Sequence, residues 1–120
     1  MLEKKIRNVR YAMSGIRIAW QEEFSFKVQI VAALLALLFG LLFRISQEEW
    51  LAVIIVMGFV LTAEAFNTAL EELCDKFQPE HDPHIAKIKD LAAAAVLISS
   101  ATALTVGAII FTPRIIALLS

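Results

Sequence analysis

The sequence predicts an all-α integral membrane protein. Residues 1–120 read as one membrane domain, with an N-terminal amphipathic surface helix and three transmembrane helices. Three observations predict it. Apolar residues make up 59% of the chain and charged residues 19%, against about 45–50% and about 25% in an ordinary soluble domain. The apolar residues collect in three runs near the roughly 20 residues a bilayer crossing needs. The cations are divided unequally between the segments flanking those runs. Three such spans use about half the chain, so no separate soluble nucleotide-binding domain fits. A net charge of -1 carries no sign of a nucleic-acid partner. The lone cysteine, Cys74, excludes an intrachain disulfide or a cysteine metal cage and reads as a buried, inert thiol.

Residues 1–27 form the expected surface helix. Ile6, Val9, Met13, Ile16 and Trp20 recur at helical spacing on one face, and Lys4, Lys5, Arg7 and Arg10 avoid it. A basic amphipathic helix with a terminal Trp suits a membrane surface. The first span covers residues 28–45, where Arg44, the only charge, stands near the end and within reach of headgroups. Ser46–Glu49 is a short polar link, and Trp50 a plausible interface anchor. The second helix covers 50–75 and turns polar from Glu64 onward. Gln78–His84 holds two prolines and reads as a loop. The third helix covers 86–111, with Pro113 expected to stop it.

The N-terminal segment and the Gln78–His84 side hold Lys4, Lys5, Arg7, Arg10, Arg17, Lys27, Lys76, Lys87 and Lys89. The opposite side holds only Arg44 and Arg114. By the positive-inside rule the first side, with the N-terminus, faces the cytoplasm.

Glu64 is the first residue that points to chemistry. An ionisable side chain inside a span costs roughly 2.5–3.5 kcal/mol at the bilayer centre on insertion scales and marks function by default. Asn67, Glu71 and Asp75 lie within about 60°, 20° and 20° of it around the helix. These polar groups form one stripe rising from the bilayer to its cytoplasmic surface. Hard oxygen ligands of this kind suit Mg²⁺, which takes one or two carboxylates plus substrate phosphates. The deeper, partly desolvated carboxylate suits a general base. The stripe thus fits a reaction between a lipid hydroxyl and a phosphorylated cytosolic substrate. Glu22 and Glu23 end the surface helix on the same side. Lys89-Asp90 opens the third span there, where a lysine can neutralise phosphoryl oxygens. His81 and His84 are loop residues too loosely spaced for a zinc site. The four glycines, Gly15, Gly40, Gly58 and Gly107, cannot form a P-loop or a G-x-G-x-x-G turn.

Glu64-Ala-Phe-Asn67-Thr-Ala-Leu-Glu71-Glu-Leu-Cys-Asp75 resembles the E-x-x-N-[ST]-A-[IL]-E-x-x-x-D signature of the prokaryotic diacylglycerol kinase family, which includes the undecaprenol kinases. Gly15-Ile-Arg17-Ile-Ala-Trp20-Gln-Glu-Glu23-Phe-Ser-Phe26 is similar to the family's surface-helix stretch. Lys89-Asp90-Leu-Ala-Ala-Ala-Ala-Val-Leu is similar to its third-helix stretch. The three blocks follow at the family's spacing, over nearly the whole chain.

The resemblance implies a homotrimer in the bacterial cytoplasmic (inner) membrane, with composite active sites at subunit boundaries. It implies an ATP- and Mg²⁺-dependent lipid kinase acting on the hydroxyl of undecaprenol or diacylglycerol. Glu64 would be the catalytic base, and Glu23 and Glu71 would hold the metal. Lys4, Tyr11, Glu23, Asn67, Glu71, His81, Asp82, Lys89 and Asp90 would serve ATP. Arg17, Trp20, Phe26 and Trp50, with Glu64, would serve the lipid. The chain departs from the family at Glu80-His81-Asp82-Pro83-His84, where relatives often read E-Y-H-x-L, and at Gln29, where they place His or Glu. The tail Ile109-Ile-Phe-Thr-Pro113-Arg is similar to that of the undecaprenol branch, while Trp20 is shared with the diacylglycerol branch. Two other classes compete. A small membrane transporter would be expected to have four spans and its carboxylate in the first. A non-catalytic membrane subunit leaves the polar stripe unexplained.

Overall fold

The computed structural model describes residues 1–120 as four α-helices. They are α1 (Leu2–Glu22), α2 (Phe24–Phe43), α3 (Gln47–Phe77) and α4 (Pro83–Leu119). The last three are each long and apolar enough to cross a membrane. The packing is mainly α3 against α4, with α2 on α3 and α1 against the first part of α2 and the second half of α3. Only 11 of 120 residues are buried, so most apolar side chains face outward, as lipid or a neighbouring subunit requires.

The first break is at Glu23. Its φ of -112° and ψ of 109° leave the helical region and separate α1 from α2. The helix that crosses the membrane therefore begins at Phe24, where the sequence reading kept residues up to 27 in the surface helix.

The turn from α2 to α3 is built from both sides. Arg44 adopts the left-handed conformation at φ 52°. Its N–H donates to Leu41 O at 3.3 Å, and that of Ile45 to Gly40 O at 3.2 Å. This pair of bonds is a Schellman closure, with arginine where glycine is usual. On the other side Ser46 and Glu49 form a capping box. The Glu49 N–H donates to Ser46 Oγ at 3.2 Å, and the Ser46 N–H donates to Glu49 Oε1 at 2.9 Å. The expected polar link over 46–49 thus already contains the first turn of α3.

Ile45, Val53 and Ile110 form a buried cluster beside this turn, with Trp50, Met57 and Phe111 packed around it. Phe39, Phe43 and Phe111 extend it as rings with centroids 6.2–6.5 Å apart. Arg114 clamps α4 onto α3. Its Nη1 and Nη2 donate to Glu49 Oε2 and Oε1 at 2.9 and 2.7 Å, a bidentate pair.

Pro113 does not end α4, contrary to the sequence expectation: the helix continues to Leu119. A proline removes one N–H and crowds the carbonyl four residues back, a defect that surrounding groups can make good in membrane helices. The carbonyl left without its N–H is that of Ile109; Arg114 Nη1 donates to the next one, Ile110 O, at 2.7 Å. With the Glu49 pair, this ties the turn around Pro113 to α3. At its other end α4 starts at Pro83, where proline loses no bond. Asp82 is the N-cap, its Oδ1 accepting from the N–H of His84 at 2.8 Å and of Ile85 at 3.1 Å.

Candidate active site

Glu64 is the one buried charged residue, 5% exposed in α3. A 3.6-residue period turns the Glu64 face of α3 inward at Val53, Val60, Glu64 and Cys74. Burial of a carboxylate in a membrane helix is costly without partners, so what lies around it is informative. Glu23 and Glu71 are both near enough to interact electrostatically with it. Glu23 comes from the break between α1 and α2, and Glu71 from two turns further along α3. The break at Glu23 therefore brings a carboxylate of the N-terminal region to the α3 stripe.

The stripe is internally bonded. Asn67 Nδ2 donates to Glu71 Oε1 at 3.2 Å, one helical turn apart. Asn67 Oδ1 is buried with no donor. A buried acceptor of this kind costs about 1–3 kcal/mol if nothing satisfies it, so it is open to a ligand or a neighbouring chain. Lys89 Nζ, from α4, donates to Asp75 Oδ1 at 2.8 Å.

No three side chains of His, Cys, Asp or Glu come together as a closed metal cage in this chain. The donors do fit Mg²⁺ in another sense. Glu23 and Glu71 are hard carboxylates, and Asn67, bonded to Glu71 through its amide N–H, keeps a buried carbonyl oxygen without a partner. One or two carboxylates completed by phosphate oxygens and water is the usual magnesium arrangement.

Three other sequence candidates, Lys4, Tyr11 and Trp50, lie apart from this cluster along their helices. Lys4 and Tyr11 are exposed on α1, about 28 and 18 Å from Glu23 along the helix axis. Trp50 is 14 residues before Glu64, about 21 Å along α3, and its ring packs on Gly40 of α2. Trp20 lies under the Lys27 ammonium, 5.9 Å from the ring centroid, across the break at Glu23. Phe26 is buried, 5% exposed. It lines a groove of about 650 Å³ between α1 and α3, with Ile16, Ala19, Leu61, Thr68 and Glu72 among the other walls. Arg17 is exposed on α1.

At the start of α4, His81 and Asp90 share a shallow cavity of about 500 Å³ with Lys87 and Leu91. Lys87 is not among the sequence candidates for the site. Its position three residues before Asp90, on the same helical face, was the available signal. Asp82 is committed to capping α4. A second cavity, about 560 Å³ and almost wholly apolar, lies between α2, α3 and α4. Gln29 Nε2 and Ser100 Oγ meet on its wall at 3.5 Å.

Comparison with known proteins places the chain in a family. A model of the prokaryotic diacylglycerol kinase family matches residues 10–111. An undecaprenol kinase of Bacillus subtilis (strain 168) is 29% identical over 95% of this chain and 93% of its own length. A diacylglycerol kinase of Escherichia coli (strain K12) is 30% identical over 78% of this chain and 77% of its own. A diacylglycerol kinase of a Synechocystis species is 27% identical over 92% of this chain and 63% of its own. With its three long apolar helices and a family match over most of its length, this multi-pass chain belongs to the prokaryotic diacylglycerol kinase family, and is a lipid kinase.

Proposed function

We propose that this chain transfers the γ-phosphoryl group of ATP to the hydroxyl of a membrane lipid alcohol at the cytoplasmic face of the inner membrane. The observation that carries the reading is Glu64, buried in α3 and flanked by Glu23 and Glu71. Glu64 accepts the proton of the lipid hydroxyl as its oxygen attacks the γ-phosphorus, and the bond to the ADP oxygen breaks. Positioning and charge stabilisation supply most of what phosphoryl transfer needs. Glu23 and Glu71 would hold Mg²⁺, which when bound offsets charge on the phosphate oxygens. Asn67 steadies Glu71 through their hydrogen bond, and Lys89 contributes positive charge to the transferring group. His81 and Asp90, with Lys87, line the cavity we assign to the nucleoside end.

The working unit we propose is a homotrimer with α1 on the cytoplasmic membrane surface. Outward apolar faces on α2, α3 and α4, the unpartnered Asn67 Oδ1, and the distance of Lys4 and Tyr11 from Glu23 all favour sites completed between subunits. The cation asymmetry favours a cytoplasmic N-terminus. The tail after Ile109 and the end-to-end match to an undecaprenol kinase favour undecaprenol as acceptor. Trp20 and the diacylglycerol kinase relatives favour diacylglycerol as the second reading.

The test is transfer of labelled γ-phosphate from ATP by purified protein in mixed micelles with Mg²⁺, each lipid offered separately. Labelled lipid phosphate is expected, falling by about 10²–10⁴-fold in Glu64→Gln, the range for loss of a general base. No labelled product from either lipid, by folded and oligomeric protein, refutes the substrate assignment. Full activity in Glu64→Gln refutes the base.

A further inference from the structure

We infer that Asp75 is a positioning residue that holds Lys89 in register for the nucleotide phosphates, rather than a fourth oxygen ligand of the carboxylate stripe. The inference rests on the reading of Lys89 given above. Asp75 stands one turn beyond Glu71 on α3, about 6 Å along the axis. Its Oδ1 accepts from Lys89 Nζ at 2.8 Å. This contact joins α3 to α4 across the loop at residues 78–82, between groups 14 residues apart in sequence.

The pair contributes little to stability. The lysine side chain is 37% exposed and the aspartate 66%, and exposed pairs of this kind are worth little or nothing in net folding free energy. Its consequence is directional. A free lysine samples many rotamers over a four-carbon stem, and fixing it costs conformational entropy. Anchored on Asp75, the ammonium already lies along the polar stripe. An ammonium has three donors, and the structure uses one on Asp75, which leaves two for phosphate oxygens. Asp75 thus lowers the ordering cost of nucleotide binding without touching the nucleotide.

Steady-state kinetics of the full-length protein in micelles test this with Asp75→Asn, Asp75→Glu, Lys89→Met and the double variant Asp75→Asn/Lys89→Met. Asp75→Asn is expected to raise KM for ATP about tenfold, a part of the freedom a lysine loses when fixed. The KM for lipid, the Mg²⁺ requirement and the melting temperature stay the same. Asp75→Glu, which keeps the charge on a longer stem, restores most of the loss. Asp75→Asn causes no further loss in the Lys89→Met background. Independent losses in the double variant, or a changed Mg²⁺ requirement in Asp75→Asn, overturn the positioning role. So does a harmless Asp75→Asn beside an impaired Lys89→Met, and that result leaves the nucleotide reading of Lys89 intact. Normal ATP kinetics in Lys89→Met instead overturns the nucleotide reading and the inference with it.

Discussion

Gly40→Ala tests how the helical hairpin at the far end from Glu64 is held. A Cβ built on Gly40 would lie 2.6 Å from Cη2 and 2.9 Å from Cζ2 of Trp50, and 3.1 Å from Cδ1 of Ile45. Carbon pairs are at their best near 3.5–4.0 Å, so the indole must retreat by roughly 0.9 Å. It has little freedom to do so. Trp50 sits in the first turn of α3, which the Ser46–Glu49 capping box and the Arg114 clamp both hold. Ile45 is 6% exposed in the buried cluster beside it. Overpacking of this sort costs about 1–3 kcal/mol. Replacing a helical glycine by alanine returns about 1 kcal/mol through backbone entropy. The expected net loss is about 1 kcal/mol, a fall of roughly 3–5 °C in melting temperature for a chain of this size. The assay is thermal unfolding in detergent followed by tryptophan fluorescence and circular dichroism. Trp50→Phe removes both close indole atoms, so adding Gly40→Ala in that background should recover most of the loss. A rise in melting temperature with Gly40→Ala alone, or an equal fall in both backgrounds, refutes the steric argument.

Two further predictions follow from the helix ends. Arg44→Gly should raise stability by about 0.5–1 kcal/mol, because a non-glycine residue in the left-handed region carries roughly 1–2 kcal/mol of steric cost, partly offset by glycine's greater chain entropy. Thermal melts of the two proteins compare directly, and a drop in melting temperature would count against the Schellman reading of this turn. Asp82→Ala should destabilise by about 1 kcal/mol through loss of the α4 cap, while Asp82→Asn, a competent cap, stays close to wild type. Both should keep the ATP KM of the parent protein. An ATP defect shared by both, without loss of stability, would return Asp82 to the nucleotide site.

The stripe on α3 was legible because it depends only on helical period: Glu64, Asn67, Glu71 and Asp75 share a face in any regular helix. The break at Glu23 was not. It falls in Gln21-Glu-Glu-Phe24, with no glycine or proline to mark it, and α2 continues the apolar run from Phe24. No local pattern marks the break, whereas the packing of α1 on α2 and α3 that accompanies it is a tertiary feature. Pro113 misled in the opposite direction. Its local preference to end a helix does not prevail: α4 runs on to Leu119, and just past the proline Arg114 pairs with Glu49, 65 residues away. Ser46-x-x-Glu49 and Asp82-Pro83 were local signals of helix starts. Reading the first as a link missed a cap that the backbone bonds make plain, and Asp82, read for the nucleotide, also caps α4.

The two ends of the bundle are built to different standards, and the difference bears on function. Around Ser46 several strong devices are concentrated: the Schellman closure, the capping box, the bidentate Arg114–Glu49 pair and the buried cluster of Ile45, Val53 and Ile110. Around Glu64 the chain holds a buried carboxylate, an acceptor on Asn67 with no donor, an exposed ion pair at Lys89, and a groove between α1 and α3. A site that admits both a lipid head and a nucleotide cannot be closed by its own side chains before they arrive. Polar groups that will face ligand must stay unpaired or weakly paired, at a cost in stability. The fastened end supplies that stability without occupying the site. It also fixes α3 and α4 against each other, so that Asp75 and Lys89 meet near the loop at the opposite end of the same helix pair.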